Sequence, residues 1–290
     1  MSTYESKAGQ DVSAAPRGLI GPETRILGID FSGAGDAGRK VWIAEGRLTD
    51  AGAFELERCV PAIELPGGGV QPEQAIPAVA RHLARLTDAR IGCDFPFSLP
   101  RDLITARTWR SFALRYAAEF ADAETFRSIM RSRHNRIEHK RVTDRIASTP
   151  FNAYNLRVYR QTWWGIAGVL SPLVRAGRAI VRPQQKLVAR IPILIEICPA
   201  CTLKSIGLYP PYKGREAAHR NARKRILDHF IDRGALVPPP KCMRQLLLDN
   251  QGGDALDAVI GAIATARADL AKEPDAYERL EGRVYFEIGV

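Results

Sequence analysis

Short apolar runs alternate with polar, arginine-rich stretches along this chain, and the period within each run predicts its element. RILGID (25–30) is apolar and β-prone and stops at an aspartate before the turn-forming SGAGDAG, so it predicts a strand ending at Asp30. KVWIAEGRL and AFELERCVPAIEL predict two more strands, close enough to the first to form an antiparallel meander. In PEQAIPAVARHLARL, Ile76, Val79, Leu83 and Leu86 recur at helical spacing, which predicts a helix crossing back over the sheet. ARIGCDFPFSLP then predicts a short buried strand that ends at Asp94 and is broken by Pro96 and Pro100.

Residues 101–188 resist a strand reading and predict a helical insertion. TWRSFALRYAAEFADAETFRSIMR reads as helical, RIEHKRVTDRIASTPFNAYN carries turn signals, and LRVYRQTWWGIAGVLSPLVRAG predicts a helix closed at Gly177. RIPILIEICPA returns to a buried strand, GREAAHRNARKRILDHFIDRG is a basic helix ending at Gly234, and VPPP is a loop. GGDALDAVIGAIATARADL is an apolar helix opened by glycines, and EGRVYFEIG a closing strand. With no internal repeat, residues 25–290 predict one α/β domain. Its mixed sheet has a meander on one side and parallel strands, reached through helical crossovers, on the other. Residues 1–24 are polar and read as a disordered leader rather than a signal peptide.

Composition narrows the class. The chain has 290 residues, 46% of them hydrophobic, enough for a substantial core. Its apolar runs, such as IPILIEI, fall far short of the roughly 20 residues that cross a bilayer, so no membrane partner is expected. The pattern sets no oligomeric state. Five cysteines in so long a chain do not make a disulfide framework, which points to a reducing cytoplasm. Cys198 and Cys201 form a lone CxxC, expected to be ordinary packing because a zinc site needs a second ligand pair.

The net charge of +10 is concentrated in residues 101–160 and 171–230. A basic block attracts polyanions, nucleic acid (DNA or RNA) first among them. Lys213 and the helix it introduces, with Arg220, Arg223 and Lys224, are the expected phosphate contacts. Trp163 and Trp164 could stack on bases, but the apolar density around them favours burial. SGAGDAG runs into a strand rather than a helix, so it is no dinucleotide fingerprint.

The acids carry the chemistry. Asp30 and Asp94 end strands, Glu196 interrupts the apolar run ILIEICP, and Asp254 and Asp257 lie three residues apart at the start of the last long helix, hence on one face. Carboxylates beyond the carboxyl ends of parallel strands can converge although distant in sequence. Buried acids are rarely left unless paired or bound to metal, and hard oxygen donors suit Mg²⁺ or Mn²⁺. Two such ions can stabilise the attacking and leaving oxygens of a phosphodiester displacement.

The motif set GID, CDFPFSLP, IEICPA, GGDALDAVIGAIATA and EGRVYFEI, spread over residues 25–290, resembles the family catalogued as domain of unknown function 429, regarded as RNase H-like nucleases. The DALDA helix is also similar to the closing helix of RuvC-type resolvases, where two aspartates three apart contribute to the metal site. The resemblance implies an RNase H-like fold. In it Asp30, Asp94, Glu196, Asp254 and Asp257 would bind Mg²⁺ or Mn²⁺, with Asp30, Asp94, Glu196 and Asp257 catalytic. That family's third motif reads Glu-Val-His-Pro-Glu; here Cys198 and Ala200 replace its His and second Glu, so only Glu196 carries over.

A metal-dependent nuclease is the first expectation. A non-catalytic nucleic-acid-binding module of the same fold is an alternative, although it gains nothing from a negative pocket facing phosphates. An actin-like phosphotransferase is a further one, weakened by Ser32 where a glycine is usual and by the single domain.

Overall fold

The computed structural model describes residues 24–133 and 138–286. The leader expected over 1–24 therefore lies, but for Thr24, outside the described residues, as do 134–137 of the insertion and the end of the closing strand.

Among the described residues seven strands form one mixed sheet: β1 (Arg25–Asp30), β2 (Trp42–Leu48), β3 (Phe54–Pro61), β4 (Ala89–Asp94), β5 (Ile180–Val181), β6 (Ile193–Ile197) and β7 (Val284–Tyr285). Their order is β3-β2-β1-β4-β6-β5, with β7 also on β6. The pairs β1–β2 and β2–β3 are antiparallel, as the meander predicts, while β4, β5 and β7 join by parallel pairing. Strand β5 lies inside the stretch expected to be wholly helical. Two residues hold too little periodicity to announce a strand, and pairing with Ile193 and Leu194 makes it one.

Each face of the sheet is covered. On one, Leu27, Ile29, Ile91, Cys93 and Leu194 pack under the crossover helix Pro72–Ala84 and the helical insertion. On the other, Ile26, Ala44, Ile195 and Ile197 pack under the closing helix Asp254–Arg267. That helix approaches the sheet closely because β1 and β4 present glycines to it. A methyl group on Gly28 would strike the backbone of Ala258 and Ala262, and one on Gly92 would strike the Thr265 hydroxyl. Gly253 enters the helix at φ +79°, a left-handed conformation that other residues adopt at a cost.

The insertion holds the helices Trp109–Glu119, Ala123–Arg133, Val142–Ile146, Tyr159–Trp164 and Ser171–Arg175, the last two joined by a π-helical turn at Gly165–Leu170. Trp163 and Trp164 are half-buried, packed against its core, and the Trp163 indole donates to the Phe120 carbonyl, so the expected burial is met in part. Outside the insertion four helices escape the sequence pattern among the described residues: Ala37–Lys40, Pro199–Ser205 and Glu278–Glu281 are too short to stand out and Lys241–Asp249 too polar, so SGAGDAG runs into a single helical turn before β2 rather than directly into a strand. The CxxC is a correction. Cys198 caps the helix Pro199–Ser205 and is joined to Cys201 by a disulfide, their Cα atoms 5.2 Å apart. One helical turn sets that separation, and it is a spacing a disulfide can bridge.

Candidate functional site

Strand register decides which acids meet. Asp30 and Asp94 are direct partners across the parallel β1–β4 pair, two residues beyond the partnered Gly28 and Gly92. Alternation along a strand puts residues i and i+2 on one face, so both aspartates share the face on which Gly28 and Gly92 meet the closing helix. That helix begins with Asp254 and Asp257. Three elements thus deliver four carboxylates to the carboxyl end of the parallel strands.

Their environments differ. Asp257, 2% exposed, accepts a hydrogen bond from the Tyr212 hydroxyl (2.7 Å) and an ion pair from Lys213 Nζ (2.6 Å). Among the described residues the carboxylates of Asp30, Asp94 and Asp254 make no hydrogen bond or ion pair, although Asp30 is only 8% exposed. Burial, then the Asp257 charge, pushes the Asp30 carboxyl well above the usual range, with Asp254 and Asp94 adding to the shift and Lys213 opposing it. Burial and Asp257 likewise push Asp94 up to about 7. Asp254 is raised by burial first, with Lys213 opposing. Lys213 itself is disfavoured by burial, but Asp257 and Asp30 outweigh that and hold its ammonium above the ordinary lysine range.

Glu196 reaches this cluster only through its charge, which adds to the rise at Asp94, while its side chain takes other partners, and this corrects the sequence expectation. It pairs in register with Cys93, so it projects from the opposite face. There Arg141 of the insertion holds both its oxygens, Nη1 at 2.7 Å from Oε2, and the Phe97 amide donates at 2.9 Å. The same guanidinium grips Asp144 at 2.7 Å and the Glu281 carbonyl at 3.1 Å. Arg141, Asp144 and Glu196 are almost wholly buried, so Glu196 is spent on joining the insertion to the sheet. The run ILIEI is apolar on both faces and carries no alternation from which to read which face Glu196 takes.

The expected phosphate contacts also change. Lys213 belongs to the acidic cluster. Arg223 is 1% exposed and donates to the carbonyls of Leu248 (2.8 Å), Tyr212 (2.5 Å) and Gly214 (3.1 Å), fixing the loop that carries Tyr212 and Lys213. Its spacing from Ile226, Leu227 and Phe230 is that of one helix face, a signal of burial present in the sequence. Arg220 and Lys224 are on the surface, paired with Asp249 and Asp228 at 2.8 Å. Sequence reasoning missed Tyr212 and Arg141, which no motif marks.

Four hard oxygen donors, three without partners and one of those buried, fit a divalent cation in chemistry and charge. As placed, no three Asp, Glu, His or Cys side chains among the described residues are grouped to hold a metal ion, and the cation touching the cluster is Lys213. Fold and site define an α/β protein with a partly buried carboxylate cluster at the carboxyl edge of a mixed sheet. Comparison with known family models, with curated proteins and with solved structures finds no match to this chain. No helix of the described residues is long and apolar enough to cross a membrane.

Proposed function

We propose that this chain is a divalent-metal-dependent phosphodiesterase of RNase H-like architecture acting on nucleic acid, in keeping with the domain-of-unknown-function 429 resemblance. The observation that carries the reading is the convergence of Asp30, Asp94 and Asp254, none with a partner among the described residues, beside Asp257. Stability alone would replace such acids with apolar residues or pair them, so their retention points to a ligand that completes them. Asp30, Asp94, Asp254 and Asp257 would hold Mg²⁺ or Mn²⁺. The ion supplies neutralising charge and Lewis acidity at a phosphodiester.

The chain's own contribution is positional. The glycine contacts seat the closing helix on the sheet, the Tyr212 hydroxyl orients Asp257, and Arg223 fixes the loop that brings Tyr212 to it. The net charge of +10 supports a polyanionic substrate. The test is a panel of single- and double-stranded DNA, RNA and RNA–DNA hybrid with Mg²⁺ or Mn²⁺, beside Asp30→Asn. Cleavage that needs the metal and falls at least about 100-fold in the variant is expected. Absence of cleavage across the panel, or equal cleavage by the variant, would refute the reading.

A further inference from the structure

The loop Tyr212–Gly214 is clasped at both ends. Arg223 holds the carbonyls of Tyr212 and Gly214, and the Gly214 amide donates to the Gln251 carbonyl at 2.8 Å, tying the loop to the turn that opens the closing helix. Gly253 sits so close to the Tyr212 ring and the Lys213 side chain that an added methyl group would crowd both. The backbone at Lys213 is therefore fixed, yet its side chain stays 52% exposed and reaches solvent as well as Asp257. Among the described residues its ammonium pairs with Asp257 alone, at 2.6 Å, and Asp30, Asp94 and Asp254 beside it have no cation of their own. Asp257 keeps a second partner in Tyr212, and it would not be stranded if the ammonium left.

We propose that Lys213 is the resident counter-ion of the metal-free site, and that a divalent cation enters by displacing its ammonium from Asp257 into solvent. The inference rests on the metal-site reading above and deepens it, because it makes Lys213 the residue that sets metal affinity. Two positive charges of this kind cannot share Asp257 Oδ2 without strong repulsion, since like charges about 4 Å apart repel even at the effective dielectric of a protein surface. The tethered ammonium competes with any metal present. Once displaced, it stands at the rim of the site, where an anionic substrate would meet it.

The test uses the full chain and Mn²⁺ itself, with free ion followed by electron paramagnetic resonance and heat by calorimetry. Lys213→Gln should bind Mn²⁺ at least about tenfold tighter than the parent chain, the scale on which one adjacent charge acts. Lys213→Arg keeps the charge and should bind no tighter than the parent. A second measurement needs no variant: amine labelling of Lys213 read by mass spectrometry should be slow in the metal-free protein and several-fold faster with saturating Mn²⁺. Equal affinities of parent and Lys213→Gln, equal tightening by Gln and Arg, or labelling that ignores Mn²⁺ would overturn the counter-ion role while leaving a metal site standing. No Mn²⁺ binding by any of the three chains would overturn the metal reading and this inference together.

Discussion

Replacing Asp94 by asparagine removes one charge from a cluster with too many, at nearly constant shape. The Asp94 carboxylate has no partner to lose, and only its backbone carbonyl is engaged, by Gln161 at 3.2 Å. Burial and the Asp257 charge move its pKa from the ordinary 3.8 to about 7. A folded-state pKa above the unfolded one means that the native protein holds this proton more tightly. The group's contribution to stability is thus fully present below pH 3.8 and lost as pH rises through about 7. Each tenfold change in proton affinity corresponds to about 1.4 kcal/mol, which sets a ceiling of roughly 4 kcal/mol on the cost of ionised Asp94 at pH 8. Asp94 keeps some contact with solvent, so a gain of about 2–4 kcal/mol for Asp94→Asn is expected there, against a total stability of roughly 5–15 kcal/mol. The gain should vanish near pH 4. Urea unfolding in chelator at pH 4, 6 and 8 reads this directly from the midpoints, provided the slopes agree. Saturating Mn²⁺ should offset most of that gain, since at a hundred times its dissociation constant it stabilises the parent by about 2.7 kcal/mol and the variant much less. A variant less stable than the parent at pH 8 without metal, or a gain of equal size at every pH, would refute the crowded-carboxylate reasoning.

Glu196→Gln should destabilise by about 1–3 kcal/mol in thermal or urea unfolding, because it takes one of two carboxylate partners from the buried Arg141 while Asp144 keeps it paired, and should leave Mn²⁺ affinity within about twofold. Lost Mn²⁺ binding at unchanged stability would restore Glu196 as a ligand. Arg223→Met should cost about 2–4 kcal/mol, since three backbone carbonyls lose a buried charged donor. By contrast, Arg220→Ala with Lys224→Ala breaks only exposed pairs, so it should cost less than about 1 kcal/mol. If these two side chains contact phosphates, the double variant flattens the salt dependence of nucleic-acid binding by up to about two units, and an unchanged slope would remove them from the interface.

Much of the fold is written locally. RILGID and ARIGCD are short apolar runs stopped by turn-forming residues, so their strand nature and their ends at Asp30 and Asp94 follow from period and punctuation. The meander follows from the short links between its strands, and the closing helix from the apolar content of DALDAVIGAIATA, with Asp254 and Asp257 on one face by helical geometry. Four acids of the site were therefore legible, because each sits at the end of an element that its own neighbours define. Glu196 was not, since membership depends on the register Cys93↔Glu196, a relation between strands about a hundred residues apart that no local pattern encodes. The same holds for the basic residues. The sequence makes Lys213 and Arg223 positive and its helical spacing marks Arg223 for burial, but only packing turns Lys213 toward Asp257 and gives Arg223 the carbonyls it meets. Charge and periodicity are properties of a segment, whereas the partner a charge meets is a property of the closed fold, where the cost of burying it has to be met by particular atoms.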